Sequence, residues 1–172
     1  MWCIGTAASP LGGITLASDG AALTGVWFDG QKYFGAHLPP DSPLREDLPV
    51  FQETRQWLGR YFQGQDLGPT PPLSPEGTPF QREVWALLSR IPYGQVTTYR
   101  ALAQSVAQAR GLPSMSAQAV GGAVGRNPIS ILIPCHRVVG SRGSLPGYAG
   151  GLEKKAALLS LERADLSRFA HR

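Results

Sequence analysis

Residues 78–99 read TPFQREVWALLSRIPYGQVTTY, and this stretch decides the fold of the second half of the chain. Thr78 and Gln81 form a capping box around a proline that stands at the first helical position. The IPYGQ turn ends an amphipathic helix that is predicted by five apolar residues at helical spacing: Phe80, Val84, Leu87, Leu88 and Ile91. Thr98 is placed to cap a second predicted helix, TTYRALAQSVA.

A third helix is predicted over residues 114–127, SMSAQAVGGAVGRN, with Ser114 as its N-cap. Its alanine and glycine residues give this helix few large side chains. Each glycine lowers the stability of the helix by about 1 kcal/mol relative to alanine. Such a helix suits a place where something comes very close, either another helix or a nucleic-acid backbone. The second and third helices, joined by the turn at 111–113, have the order of a helix-turn-helix unit.

The first part of the chain has a different pattern. Residues 1–30 are rich in strand formers, with a hairpin predicted around Ser18-Asp19-Gly20. Residues 31–48 are loop-like, and residues 50–63 have apolar side chains at helical spacing. The Pro- and Gly-rich stretch 64–79 is typical of a linker. The sequence therefore predicts an α+β protein with two domains, residues 1–75 and 76–172.

Composition narrows the class of protein. Apolar residues make up 42% of the 172 residues, which is enough for a buried core. The chain has no apolar stretch of about 18 residues and no signal-peptide pattern, so we expect a cytoplasmic protein that does not enter membranes. Two cysteines and three scattered histidines lack the spacing of a metal site, so no metal is predicted.

Charge is distributed unevenly along the sequence. Residues 1–79 contain four Lys or Arg and eight Asp or Glu, whereas residues 80–172 contain twelve Lys or Arg and four Asp or Glu. A basic second half indicates that this half alone meets a polyanion such as nucleic acid. A merely basic surface is the simpler alternative.

The stretch IPCHRVVGSRG, residues 133–143, contains the residue with the clearest chemical potential. Cys135 follows a predicted β-like run, ISILIP, and it could be a buried structural thiol, a metal ligand or a nucleophile. Positive charge from His136 and Arg137 favours the thiolate, which is the reactive form. Glu162 could orient the histidine, as carboxylates do in catalytic triads.

The motifs PCHRV at 134–138 and GYAGG at 147–151 resemble those of the O6-alkylguanine-DNA alkyltransferases. The resemblance covers about residues 78–165 closely, and the first 75 residues only in general layout. It implies a small N-terminal α/β roll of a sheet and a helix. It also implies a mostly helical C-terminal domain with a winged-helix-like helix-turn-helix and an active-site loop.

The resemblance implies a role for each residue at the reacting centre. Cys135 is like the acceptor that takes the alkyl group from O6 of guanine and keeps it, so that one molecule repairs one base. His136 is like the water-linked base that deprotonates the thiol, and Glu162 is like the carboxylate that orients this base. Asn127 is like the asparagine that holds the active-site turn, and Tyr99 is like the tyrosine that faces guanine N3.

The resemblance also implies a pocket for the damaged base. The backbone carbonyls of Cys135 and Val138 would accept hydrogen bonds from the exocyclic amine. Tyr148, with the backbone of Ala149 and Gly150, would form the wall near O6. O4-alkylthymine is a second candidate substrate.

The implied partner is double-stranded DNA, which the family enters from the minor groove to flip out the damaged base. The protein would act as a monomer and without a cofactor. The positions that match DNA-contacting residues all lie on the third predicted helix: Gln118, Ala119, Gly121, Gly122 and Arg126.

The sequence departs from the family pattern at Gln118, where the family usually has an arginine that enters the base stack. Glutamine is shorter and uncharged, so weaker base extrusion or weaker DNA binding is expected. Arg126 and Arg110 are candidates for partial compensation. Two alternatives stay open: a non-catalytic lesion binder of the same fold, which would have tryptophan in place of Cys135, and a cysteine hydrolase.

Overall fold

The computed structural model describes residues 1–141, 145 and 147–166. Arg142 and Gly143, the end of the IPCHRVVGSRG stretch, lie outside the described residues. The chain forms two compact units, residues 1–76 with 128–132, and residues 77–127 with 133–172. None of the helices in the described part is long and apolar enough to cross a membrane.

The first unit is built on a three-stranded antiparallel sheet in the order β1-β2-β3. The strands are β1 (Cys3–Ala7), β2 (Ile14–Ser18) and β3 (Leu23–Phe28). The turn between β2 and β3 contains Asp19, whose carboxylate accepts hydrogen bonds from the backbone amides of Ala21 and Ala22, both at 2.9 Å. The hairpin predicted around Ser18-Asp19-Gly20 is therefore confirmed.

Helix α1 (Pro49–Phe62) contributes the other apolar surface of the first unit. Its buried residues recur at helical spacing, as the pattern over 50–63 predicts. At Gly5 of β1 an added Cβ atom would lie 2.7 Å from the ring of Phe51. Glycine at this position is therefore what allows the α1 ring to approach the strand so closely.

Residues 128–132 complete the first unit beside β3. The amide of Val26 donates to the carbonyl of Pro128 at 2.9 Å, and the amide of Ser130 donates to the carbonyl of Val26 at 2.9 Å. The predicted β-like run ISILIP is wrong beyond this point, because only Ile129 forms a bridge. Ile131 has a φ of 71°, a left-handed conformation that turns the chain away from the sheet.

The second unit is mostly helical. Its helices are α2 (Pro79–Leu88), α3 (Tyr99–Ala109), α4 (Ala117–Gly125) and α5 (Leu152–Leu161). A 3-10 turn, Cys135–Arg137, precedes the short strand β5 (Val138–Val139). This strand pairs in parallel with β4 (Thr97–Thr98), which leads directly into α3.

Two of these helices, α2 and α3, begin at the N-cap residues that the sequence predicts. Both hydrogen bonds of the capping box between Thr78 and Gln81 are present, and Thr98 caps α3 through the amide of Ala101 at 3.0 Å. The prediction of Ser114 as the third cap is wrong. Ser116 caps α4 by accepting from the amide of Ala119 at 3.2 Å, because the helix begins two residues later than predicted.

The side chain of Trp85 joins α2 to α4. It is almost fully buried, and its indole Nε1 donates to the carbonyl of Ala123 at 2.8 Å. The apolar face predicted over 80–91 did not include this tryptophan. The buried face of α2 is formed instead by Val84, Trp85 and Leu88, and Ile91 lies beyond the end of the helix.

Candidate active site around Cys135

Cys135 opens the 3-10 turn, where two anchors hold the backbone. Its own amide donates to the carbonyl of Ile133 at 2.8 Å, and the same carbonyl accepts from Nδ2 of the Asn127 side chain at 2.8 Å. Cys135 and Asn127 are both buried. Asn127 thus holds the backbone just before the turn that contains Cys135, and its role in an active site stays a prediction.

Burial raises the pKa of the Cys135 thiol above its ordinary value. A hydrogen bond with Asn127 and the positive charge of Lys155 act in the opposite direction and favour the thiolate. At rest the sulfur is therefore a protonated thiol in a buried site. It needs a base to remove its proton and a positive charge to stabilise the anion that results.

His136 is completely buried next to this thiol. Its Nε2 lies 2.7 Å from Oε2 of Glu162. Arg137 donates to both carboxylate oxygens of the same residue, from Nε at 2.8 Å and from Nη2 at 3.0 Å. The amide of Gly94 also donates to Oε1 at 3.2 Å. The Glu162 carboxylate thus has hydrogen-bond partners from two other segments of the second unit, the 3-10 turn and the loop at Gly94.

Burial and hydrogen bonds determine the protonation states of Glu162 and His136. Burial would raise the pKa of Glu162, but hydrogen bonds from His136 and Arg137 outweigh it and hold the pKa at about 2. Burial lowers the pKa of His136, even though Glu162 acts to raise it. The carboxylate is therefore ionised and the imidazole is neutral at physiological pH.

This pairing decides which histidine nitrogen is available as a base. An ionised carboxylate only accepts hydrogen bonds. Nε2 must therefore carry the ring proton and donate a hydrogen bond to Glu162. The unprotonated nitrogen is then Nδ1, which is buried and has no hydrogen-bond partner among the described residues. The site therefore has a buried thiol, a neutral base with a free lone pair, and a carboxylate that fixes the tautomer.

Tyr99 begins α3, and the pairing of β4 with β5 sets its place in the second unit. Thr98 pairs with Val139, and Thr97 pairs with Val138. Burial first, and the charge of Cys135 second, raise the pKa of Tyr99 to about 12. The phenol is therefore protonated throughout the physiological range and acts as a hydrogen-bond donor.

Lys155 is the functional candidate that the sequence reasoning missed. Its side chain is fully buried in α5, and its Nζ lies 5.8 Å from the centroid of the Tyr99 ring. A pattern could have revealed it, because Lys155 stands three and four residues before the buried Leu158 and Leu159. In the sequence this residue is only one of two adjacent lysines, Lys154 and Lys155.

Arg137 does not act directly on the thiol. Its guanidinium is bound to Glu162, and its Nη1 donates to the carbonyl of Ile91 at 2.6 Å. The residues that these hydrogen bonds join, Arg137, Glu162 and Ile91, all belong to the second unit. Arg137 therefore links the segment that follows α2 to the carboxylate that accepts from His136.

The residues predicted to surround the base lie in two segments. Val138 is buried, and its amide donates to the carbonyl of Cys135. Tyr148, Ala149 and Gly150 are half-buried and form the turn that leads into α5, where the amide of Gly151 donates to the carbonyl of Tyr148 at 2.9 Å. Among the described residues, no group of three or more His, Cys, Asp or Glu could hold a metal ion.

Helix α4 presents small residues at the surface, away from the hydrogen-bond network. Gln118, Ala119 and Gly122 are exposed. A Cβ atom added at Gly122 would have no described atom within 4 Å, whereas one added at Gly121 would lie 3.6 Å from the Tyr99 ring. Packing against another helix therefore does not explain glycine at position 122.

The two arginines considered as substitutes at position 118 differ in their contacts. Arg126 is exposed at the C-terminal end of α4. Arg110 is engaged elsewhere, because its guanidinium lies 2.8 Å from Glu83 and stacks 5.1 Å from the Phe80 ring centroid.

Both parts of the chain match models of one class of protein, the 6-O-methylguanine DNA methyltransferases. The model of the ribonuclease-like domain matches residues 3–75, and the model of the DNA binding domain matches residues 79–164. Curated relatives agree with this class. A methylated-DNA–protein-cysteine methyltransferase of Haemophilus influenzae is 42% identical and covers 90% of this chain and 83% of the relative. The enzyme of the same name from Methanosarcina acetivorans is 44% identical, with 90% and 94% covered.

Solved structures give the same result. The Mycobacterium tuberculosis O6-methylguanine methyltransferase has a TM-score of 0.82 and 38% identity, with 98% of this chain and 99% of that chain covered. A structure of Mycobacterium tuberculosis OGT in complex with DNA has a TM-score of 0.79 and 36% identity, with 96% and 97% covered. The chain therefore belongs to the family of methylated-DNA–protein-cysteine methyltransferases, and the resemblance found in the sequence is confirmed.

Proposed function

We propose that this protein repairs O6-alkylguanine in double-stranded DNA by transferring the alkyl group to Cys135, once per molecule. The observation that supports this most directly is the buried pair of His136 and Glu162, whose Nε2 and Oε2 are 2.7 Å apart, with His136 directly after the buried Cys135 in the chain. Family membership indicates the substrate class, because relatives are named for methyl transfer from methylated DNA to a protein cysteine.

Activation starts with proton transfer from the Cys135 thiol to Nδ1 of His136, through a bridging water. The imidazolium that forms is stabilised by the ionised carboxylate of Glu162, which already accepts from Nε2. Asn127 holds the turn in place and favours the thiolate through its hydrogen bond. In this proposal His136 is the base, Glu162 orients it, and Asn127 holds the turn that positions Cys135.

Alkyl transfer is then a displacement at the alkyl carbon. A sulfur lone pair forms the new sulfur–carbon bond, the bond from carbon to O6 breaks, and its electron pair moves onto the guanine. Tyr99, protonated because its pKa is about 12, donates a hydrogen bond toward N3 and stabilises the charge on the leaving base. The product is a thioether, which water does not cleave, so the protein is consumed in one turnover.

The base must leave the duplex before it can reach a buried sulfur, at a cost of a few kcal/mol. We assign this step to α3 and α4 acting as a helix-turn-helix, with α4 in the minor groove. The exposed surface formed by Gln118, Ala119 and Gly122 suits close approach to DNA, and Arg126 at the end of α4 supplies positive charge. One flipped base needs one pocket, so the protein would act as a monomer.

The flipped base would lie between β5 and the turn before α5. The backbone carbonyls of Cys135 and Val138 would accept from its exocyclic amine, and Tyr148, Ala149 and Gly150 would form the wall near O6. O4-alkylthymine would be the second substrate for the same pocket. Both cysteines of the chain are free thiols, which suits the reducing cytoplasm as the place of action.

The test is a stoichiometry experiment on a duplex that contains a single O6-methylguanine. The intact mass should increase by one methyl group per protein molecule and no further, and peptide mapping should place this group on Cys135. Cys135→Ser should gain nothing, and Cys3 in the unmodified protein serves as an internal control thiol. Turnover beyond one equivalent would indicate a hydrolase, and DNA binding without an adduct would indicate a lesion binder; either result contradicts the proposal.

A further inference from the structure

The carboxylate that accepts from His136 stands where helix α5 ends. Glu162 is the C-cap residue of α5, and its amide donates to the carbonyl of Leu158 at 3.0 Å. The next residue, Arg163, is left-handed with a φ of 54° and turns the chain out of the helix. Helix ends fray easily, because their last carbonyls have no partner within the helix. Contacts from outside α5 must therefore hold the Glu162 side chain in place.

A tight turn in the IPYGQ segment supplies one of these contacts. The amide of Gln95 donates to the carbonyl of Pro92 at 3.0 Å, which closes a β-turn over residues 92–95. Gly94 stands at the third position of this turn with a φ of 81°, which is the value of a type II turn and favours glycine. Its amide donates to Oε1 of Glu162 at 3.2 Å. The turn thus presents a backbone donor to the carboxylate.

Gly94 also lies against the backbone of Glu162. A Cβ atom added at Gly94 would stand 3.2 Å from the backbone carbonyl oxygen of Glu162, which is closer than ordinary van der Waals contact. Gly30 has almost the same backbone conformation, with a φ of 80°, but an added Cβ atom there would meet no described atom within 4 Å. The turn conformation therefore explains glycine at both positions, and the close approach to Glu162 is particular to Gly94.

Tyr93, the second residue of the turn, contacts the two neighbours of the carboxylate. Its ring centroid lies 5.8 Å from the guanidinium carbon of Arg137, within the range of a cation–π interaction. Its hydroxyl donates to the carbonyl of Leu161 at 3.4 Å, and Leu161 directly precedes Glu162 at the end of α5. The turn therefore reaches the carboxylate through Gly94, and its arginine partner and helix end through Tyr93.

The two oxygens of the Glu162 carboxylate have different partners. Oε1 accepts from the amide of Gly94 and from Nε of Arg137, which lies at 2.8 Å. Oε2 lies 2.7 Å from Nε2 of His136 and accepts from Nη2 of Arg137 at 3.0 Å. The last torsion of a glutamate side chain has only weak preferences of its own. A donor fixed on Oε1 therefore favours the rotation that leaves Oε2 on His136.

We propose that the turn at residues 92–95 positions the Glu162 carboxylate, with Tyr93 and Gly94 as positioning residues that keep Oε2 on Nε2 of His136. The role rests on the proposed function, since it matters for repair only if His136 is the base. Neither residue takes part in a bond that forms or breaks. They act through Glu162, because a carboxylate that stays in place keeps the ring proton on Nε2 and leaves the lone pair of Nδ1 available.

Gly94→Ala tests the proposal, with Gly30→Ala as its matched control. Both substitutions place a methyl group on left-handed backbone, so both should lower the Tm, but only Gly94→Ala pushes against Glu162. The tautomer of His136 is read by NMR of protein with ¹⁵N-labelled histidine, at neutral pH and without DNA. The unmodified protein and Gly30→Ala should have the proton on Nε2 alone, and Gly94→Ala should show a mixture of the Nε2 and Nδ1 tautomers.

A folded Gly94→Ala protein with the same His136 tautomer as its control would overturn the proposal. Thermal unfolding of each variant establishes whether it is folded. Tyr93 gives a second test that leaves the backbone unstrained, and its ring is 41% exposed, so that the protein should fold without it. Tyr93→Leu should also give mixed His136 tautomers, whereas Tyr93→Phe, which keeps the ring over Arg137, should not. A single Nε2 tautomer in Tyr93→Leu would contradict the proposal.

Methyl transfer from the O6-methylguanine duplex separates this inference from the proposed function. Gly94→Ala should transfer the methyl group about tenfold more slowly than Gly30→Ala, as expected when an outer partner of an oriented histidine is lost, with the same Kd for unmodified duplex. The NMR experiments need no DNA, so they can succeed even if no methyl transfer is found. Conversely, transfer by Gly94→Ala at the rate of its control would leave the proposed function intact and remove the role of the turn.

Discussion

At the scale of single residues, Gln118 is the position at which the sequence analysis found glutamine in place of an arginine. The family pattern places an arginine here, and the glutamine is exposed near the start of α4. Of the two arginines that could compensate, Arg110 is already paired with Glu83. We therefore propose that the missing charge at position 118 weakens base extrusion or DNA binding.

Replacing Gln118 with arginine should speed repair of an O6-methylguanine duplex or tighten binding to duplex DNA. The guanidinium adds a cation to the DNA-facing surface and a plane that can occupy the space of the extruded base. Single-turnover rates and Kd values measure the effect, and we expect a gain of about tenfold, equivalent to about 1.4 kcal/mol. Gln56→Arg, which adds the same charge to an exposed position of α1, is the control. No difference between the two variants would contradict the role given to position 118.

The residues of the active site were only partly predictable from the sequence. Cys135, His136 and Glu162 could be found because their chemistry is distinctive, and the 2.7 Å contact of the last two fits the predicted pairing. Lys155 could not be recognised, because nothing local separates it from the adjacent Lys154. Its Nζ lies 5.8 Å from the ring centroid of Tyr99, which stands 56 positions earlier in the sequence. A contact between residues so far apart cannot be recognised from the local sequence around Lys155.

At the scale of elements, α4 combines poor intrinsic stability with an open surface. Gly122 is exposed in the helix, and an added Cβ atom would meet no described atom within 4 Å. The folded protein thus gains nothing from glycine at this position. Close approach of DNA is the reason that we propose for it.

Gly122→Ala should therefore stabilise the protein and weaken DNA binding at the same time. Alanine raises helix stability by about 0.5–1 kcal/mol, which thermal or urea unfolding measures. The added methyl group should increase the Kd for duplex DNA several-fold, since it stands between backbone and groove. Gly59→Ala in α1 is the matched control, because it is also an exposed helical glycine with open space around it. It should raise stability and leave the Kd unchanged; an unchanged Kd for Gly122→Ala as well would contradict this use of α4.

The elements themselves were predicted well where local chemistry fixes them. The capping box at Thr78 and the cap at Thr98 are local interactions within one turn, so sequence was sufficient. Ser114 was a plausible cap by residue type, but Ser116 is equally suitable and stands nearer to the first helical residue. The ISILIP run has the composition of a strand, yet the turn at Ile131 prevents a ladder that composition alone would allow.

At the scale of the whole molecule, Glu162 links the active site to stability in acid. Its pKa is about 2 in the folded protein and 4.5 for the ordinary residue. A carboxyl group with a lowered folded-state pKa contributes stability above the unfolded-state value and loses it as the pH falls toward the folded-state value. The relevant window is therefore pH 4.5 down to about 2.

We expect Glu162 to account for roughly 3 kcal/mol of the stability lost across this window. Urea unfolding of the unmodified protein and of Glu162→Gln, at several pH values between 2 and 6, measures it. The difference between the two proteins should be largest above pH 5 and should shrink as the pH approaches 2. Glu153→Gln, an exposed position of the same helix, is the control and should show little pH-dependent difference. A difference for Glu162→Gln that does not change with pH would contradict the assignment.

The division of the molecule was the least predictable feature. The Pro- and Gly-rich stretch 64–79 suggested a single boundary, and the domains 1–75 and 76–172 stay a prediction. Residues 128–132 nevertheless belong with the first unit, because their backbone pairs with Val26 of β3. Such a return of the chain depends on long-range pairing, which local composition does not encode.

This return of the chain has a consequence for synthesis on the ribosome. When residues 1–76 have emerged, the segment 128–132 that pairs with Val26 has not yet been made. Translation must pass through α2, α3 and α4 before the first unit can complete its sheet edge. The edge of β3 at Val26 therefore stays unpaired in the nascent N-terminal half until the segment 128–132 has been synthesised and has left the ribosome.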